Sequence, residues 1–179
     1  MKSILMGTAL ATWLGAVAVA QNPAVGGYKG LNLTWESCEE MHDSYVKRFV
    51  SAEGFGMSRM LTPHMRDISG VLDLGRTRYS IESIELVGLL QQPQPMVYLP
   101  ALHNSGPKAS IGQRAPTTFE ASAIASFRAG KGMASQSEPG ALRCIGAVRA
   151  TNACLSCHED RKAGDLLGAF TYRLKALPQ

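Results

Sequence analysis

The stretch TNACLSCHED, residues 151–160, constrains this chain more than any other ten residues. Cys154 and Cys157 stand three apart and His158 follows at once. Residues three and four apart on a helical turn share a face, so two thiols and an imidazole point to one side of a short turn. Thr151 or Asn152 is the expected N-cap of that turn. Thiols at this spacing suit the two vinyl groups along one edge of a haem, to which they bond as thioethers, and the adjacent imidazole reaches the iron as its proximal ligand. A shuffled chain with four Cys and four His in 179 residues shows CxxCH only about 0.002 times. Zinc asks for a second ligand pair of similar spacing, but Cys38 and Cys144 are far apart and neither opens another CxxC. A thiol-redox site asks for CxxC after a strand in a βαβ context, which is not legible here. The segment CEEMH, Cys38 to His42, is too loose for a second motif and reads as one turn of an amphipathic helix. The sequence therefore predicts one haem c, held by Cys154 and Cys157 with His158 on its iron.

The N-terminus agrees with that chemistry, because haem joins such motifs after export. MKSILMGTALATWLGAVAVA has one Lys, a long apolar run and Ala18-Val19-Ala20, the pattern of a signal peptide cleaved after Ala20. Gly7, Thr8, Thr12 and Gly15 dilute the run, which weighs against a retained anchor. The expected organisation is a signal at 1–20 and one domain at 21–179, long enough to bury a core. A periplasmic or otherwise exported chain folds in an oxidising compartment, so Cys38 and Cys144 form the candidate disulfide. The formal net charge is +4, with basic residues scattered and no Lys/Arg run, which gives nucleic-acid binding no support. No second apolar span follows, so no stable membrane span is expected after cleavage.

Hydrophobic periodicity places the elements. TWESCEEMHDSYVKRFVSAEG reads as a helix capped by Thr34 or Ser37, with Trp35, Cys38, Met41, Tyr45 and Phe49 on one face and Gly54 at its end. GFGMSRMLTPHMRD reads as a loop. RTRYSIESIELVGLLQQPQPMVYLP reads as strand, turn, strand, with a helix as the rival over 81–90. HNSGPKASIGQRAP reads as a loop. TTFEASAIASFRAGKG reads as a helix capped by Thr117 or Thr118, with Glu120 in its first turn and Gly130 at its stop. GALRCIGAVRA reads as a strand leading into the CxxCH turn, and GDLLGAFTYRLKAL as a strand in preference to a helix.

From ALRC to FTYRL, residues 141–174, the run of strand, CxxCH turn and G-D-L-x-G-A strand resembles the haem-c-bearing PAS-like sensor domains of the bacterial periplasm. Weaker echoes lie in ELVGLL and PMVYLP. The resemblance implies an α+β fold, an antiparallel sheet with flanking helices and the haem turn near the C-terminus. The alternative is the four-helix bundle of cytochromes c-prime, which also carry CxxCH late in the chain, but the Pro/Gly-broken middle argues against a bundle. Small electron-carrier cytochromes place CxxCH early with a distal Met downstream, and no Met or His follows His158 here.

A sixth iron ligand is therefore expected from upstream. Met57, Met60, His64, His103, Met133 and Cys144 are the candidates, with Met60 and His64 ranked first because they share one irregular segment. Arg143, Arg149, Arg161 and Lys162 could pair the haem propionates, although solvated surface charge is the plainer reading of each. No GxSxG, paired-His or phosphate-loop motif is present. The expected function is that of a monohaem c-type cytochrome passing electrons to redox partner proteins. Haem-based redox or gas sensing through a separate partner is the alternative, and catalysis at an open haem comes third.

Overall fold

The computed structural model describes residues 32–54, 56–62, 65, 69–90, 93–99 and 112–178. The expected signal at 1–20 lies outside them, as do His64 and His103. The elements run β1 (Asn32–Trp35), α1 (Cys38–Ser51), a 3-10 helix (Gly56–Leu61), β2 (Ser69–Asp73), β3 (Arg78–Gly88), β4 (Met96–Leu99), β5 (Gly112–Arg114), α2 (Thr118–Arg128), β6 (Met133–Glu138), β7 (Ala141–Arg149), a 3-10 turn (Asn152–Cys154) and β8 (Leu166–Ala176). The fold is α+β. With two α-helices among the described residues, it is not a four-helix bundle.

The strands form one sheet in the order β1-β2-β3-β8-β7-β6, and β4 joins β3 and carries β5. Among the described residues every pairing is antiparallel except β1 with β2, which is parallel. The sheet is thus mixed, where an antiparallel one was expected. The parallel pair forms because α1 separates β1 from β2 and returns the chain in the same direction.

Both faces of β7 and β8 are covered. Leu142, Cys144, Val148, Phe170, Tyr172 and Leu174 join Met41 and Tyr45 of α1 in one core. Ile145 and Ala169, on the opposite side of the pleat, join Ala123, Ile124 and Phe127 of α2 in a second core. A strand buried on both faces does not alternate, which is why ALRCIGAVR reads as a nearly continuous apolar run. Gly146 makes room for α1, since a Cβ there would come within 2.5 Å of the His42 ring.

Caps set the helix ends. Ser37 is the N-cap of α1 and accepts from the Glu40 amide at 3.1 Å. Of the two expected caps Ser37 is the one that serves, and Thr34 and Trp35 lie in β1 and not in the helix. It ends at Ala52, ahead of Gly54. Thr117 caps α2 in a capping box with Glu120. The segment expected as a loop after α1 holds a 3-10 helix, and residues 112–114 of the expected loop form β5. Residues 81–88 lie in β3, not in the rival helix, because β8 supplies the ladder along that edge.

Candidate functional site

The CxxCH turn is tied down at its base and free at its tip. Ala150 bonds across the loop, its amide to the Asp165 carbonyl at 2.8 Å and its carbonyl from the Gly164 amide at 2.9 Å. Arg149 donates to the carbonyls of Gly164, Phe127 and Lys131, which fastens this base to the end of α2. Within the turn, the Cys157 and His158 amides both donate to the Cys154 carbonyl, at 3.2 and 3.0 Å. That last bond is one helical turn, and it sets Cys154 and His158 on one side. Thr151 occupies the N-cap position but makes no side-chain cap. Its hydroxyl lies 3.4 Å from the Cys154 sulfur instead.

Cys154, Cys157 and His158 line a cleft of about 590 Å³, within the range of small-molecule and cofactor sites. The end of the sheet makes its floor: Leu86 to Gly88 from β3, Val148 from β7, and Leu167 and Gly168 from β8. Tyr98 closes one side, and Phe49, Met57 and Arg59 close another. Glycine is required in the floor, because a Cβ at Gly168 would stand 2.7 Å from the Val87 carbonyl oxygen and one at Gly88 2.6 Å from the Tyr98 ring. No Asp or Glu lines the cleft among the described residues.

The remaining expected site residues are dispersed. Cys38 and Cys144 form a disulfide, with Cα atoms 6.6 Å apart. Met60 is buried in the core beside α1 and does not line the cleft. Met133 packs against the same core from β6. Met57, three residues before Met60, does face the cleft. Arg143 pairs with Glu138 at 2.5 Å and Arg161 with Asp160 at 3.0 Å. Sequence reasoning missed Phe49, Arg59 and Tyr98 as cleft residues. Phe49 was legible only as one more member of the apolar face of α1.

His42 belongs to the core, not to the cleft. Its Nε2–H donates to the Ala147 carbonyl at 3.0 Å, which leaves Nδ1 to accept from the Tyr172 hydroxyl at 2.8 Å. Burial holds its pKa below the ordinary value, against the opposing pull of the Ala147 bond. Burial pushes the Tyr172 hydroxyl up. A second buried polar cluster lies near α2. Burial alone would raise Glu120, but donation from Arg114 and the Thr117 amide lowers its carboxyl to about 2. Arg114 also pairs with Glu85.

Among the described residues no three His, Cys, Asp or Glu side chains converge to hold a metal ion. A zinc site needs such a set. A haem does not, because its porphyrin supplies four of the iron's ligands and the chain need give only one or two. Cys154 and Cys157 are not bonded to each other, and their sulfurs border an apolar cleft that ends in an imidazole. The residues present thus fit a covalently held haem. Comparison with family models, with curated proteins and with solved structures finds no match to this chain.

Proposed function

We propose that the chain is an exported monohaem c-type cytochrome that carries electrons between partner proteins. The observation that carries this reading is the meeting of Cys154, Cys157 and His158 on one apolar cleft. Cys154 and Cys157 would hold the group through thioethers, and His158 would bind its iron. A haem there would supply a one-electron couple between ferrous and ferric iron. The chain's part is to fix the ring against the end of the sheet and to keep water from it with Phe49, Leu86, Val148 and Leu167. Cys157 is exposed, so the thioether edge would lie at the surface, where a partner protein can approach. The disulfide supports an oxidising compartment, and the apolar run over 1–20 supports export through a cleaved signal. The PAS-like reading is kept on the strength of the central antiparallel strands with a helix on each face.

Met57, whose side chain lines the cleft, would be the chain's second donor to the iron. Met60 would have to leave the core to serve, and His64 is the candidate from the adjoining segment. Visible spectra of the oxidised and reduced protein, with and without carbon monoxide, test the reading. A carrier gives a six-coordinate low-spin spectrum with no rapid carbon monoxide binding. A high-spin protein that binds carbon monoxide at once argues for sensing or catalysis instead. Met57→Ala, Met60→Ala and His64→Ala then identify the ligand, since loss of the true one converts the iron to high spin.

A further inference from the structure

Arg59 is the one Lys or Arg lining the cleft among the described residues, and no carboxylate lines it beside Arg59. Its guanidinium is held in place. Nε donates to the Gly54 carbonyl at 2.9 Å, and Nη1 reaches the carbonyls of Phe49 and Val50, each at 3.3 Å. The group sits 5.7 Å over the Phe49 ring. These contacts tie the 3-10 helix to the end of α1, whose last carbonyls lack partners within the helix. A capping arginine can do that from the open surface. Here it is half-buried against an apolar wall, where an unpaired cation is costly. An anion entering the cleft would relieve that cost through charge-assisted bonds to a group already oriented.

We propose that Arg59 anchors a propionate of the haem, fixing the carboxylate end of the ring against the 3-10 helix while Cys154 and Cys157 fix the vinyl edge. The inference rests on the haem reading above. It replaces the four basic residues that the sequence placed near the motif. Arg143 and Arg161 are paired with acids, Arg149 is spent on three carbonyls, and none of these, nor Lys162, lines the cleft. Arg59 is a positioning residue with an electrostatic signature. Its fixed charge keeps the propionate ionised, and it disfavours the more positive ferric state, so it raises the reduction potential.

The test is the reduction potential of the haem-bearing full chain as a function of pH, in wild type, Arg59→Lys and Arg59→Gln. Wild type should show a flat potential through the ordinary carboxylate range. Arg59→Gln should lie lower at neutral pH and gain a step in which the potential falls as the freed propionate ionises. Arg59→Lys, which keeps the charge, should stay near wild type. A flat, unshifted Arg59→Gln overturns the inference, and so does an equal shift in Gln and Lys variants, which would mark the capping contacts alone. If Arg59→Gln does not fold, resonance Raman on wild type decides. A propionate band unchanged on acidification to about pH 4.3 supports the anchor, and a band that titrates like a free carboxylic acid overturns it. Failure of the haem reading itself is seen separately, as wild-type protein that carries no haem mass.

Discussion

The Tyr172 hydroxyl lies 2.8 Å from Nδ1 of His42, joining β8 to α1 across 130 residues of chain at a point with almost no solvent. In the neutral imidazole Nε2–H donates to the Ala147 carbonyl and Nδ1 accepts from the Tyr172 hydroxyl, so both nitrogens are satisfied, and burial favours that neutral form. Tyr172→Phe leaves that nitrogen buried without a donor and should cost about 1–3 kcal/mol in a denaturant titration.

The same pair predicts how stability varies with pH. Burial depresses the folded-state pKa of His42 below its unfolded value of about 6.5. Between those two values the unfolded chain binds more protons. The contribution is therefore complete above about pH 6.5 and is lost as pH falls toward the folded value. His42→Gln should flatten this part of the profile relative to wild type. Equal acid slopes in the two proteins would contradict the assignment.

Around Glu120 the direction is the usual one for a carboxylate. Its folded pKa of about 2 lies under the ordinary value of 4.5, so its stabilisation is present above about pH 4.5 and drains away as pH falls through about 2. Arg114→Ala leaves the buried carboxylate without its guanidinium and should destabilise by about 3–5 kcal/mol. Thermal denaturation near neutral pH measures it.

The disulfide between Cys38 and Cys144 spans a sequence separation of 106 residues. Chain entropy gives such a cross-link about 4–5 kcal/mol. Non-reducing peptide mapping should recover the linked peptides, and reduction should lower the denaturant midpoint by a matching amount. Two alkylatable thiols at these positions in fresh protein would reject the bridge.

The two strands flanking the motif could be read from the sequence because their residues are β-branched, aromatic and small, and α2 could be read because Thr117 and Glu120 announce its start. The thiols and imidazole were legible because their chemistry depends on spacing within one turn. The walls of the cleft were not, because they depend on where distant elements end. Arg59 lies in a segment broken by glycines at 54 and 56, both with positive φ, so no periodicity showed which way its side chain turns. Met57 and Met60 share that segment and the same chemistry. Only packing beside α1 sends Met60 into the core and leaves Met57 on the cleft. The mixed sheet was hidden for a similar reason: its one parallel pair is made by β1, which has four residues, and nothing in so short a run shows which neighbour offers it a ladder.

Covalent haem is the claim on which the rest depends. The decisive measurement is the mass of the full chain after expression with haem-attachment machinery, taken before and after acid-acetone extraction. The predicted result is a chain heavier by one haem that keeps its colour when denatured, with Cys154 and Cys157 closed to alkylation, and a single-thioether or haem-poor product from Cys157→Ala. A haem-free mass, or haem that extracts completely while both cysteines alkylate, would contradict it.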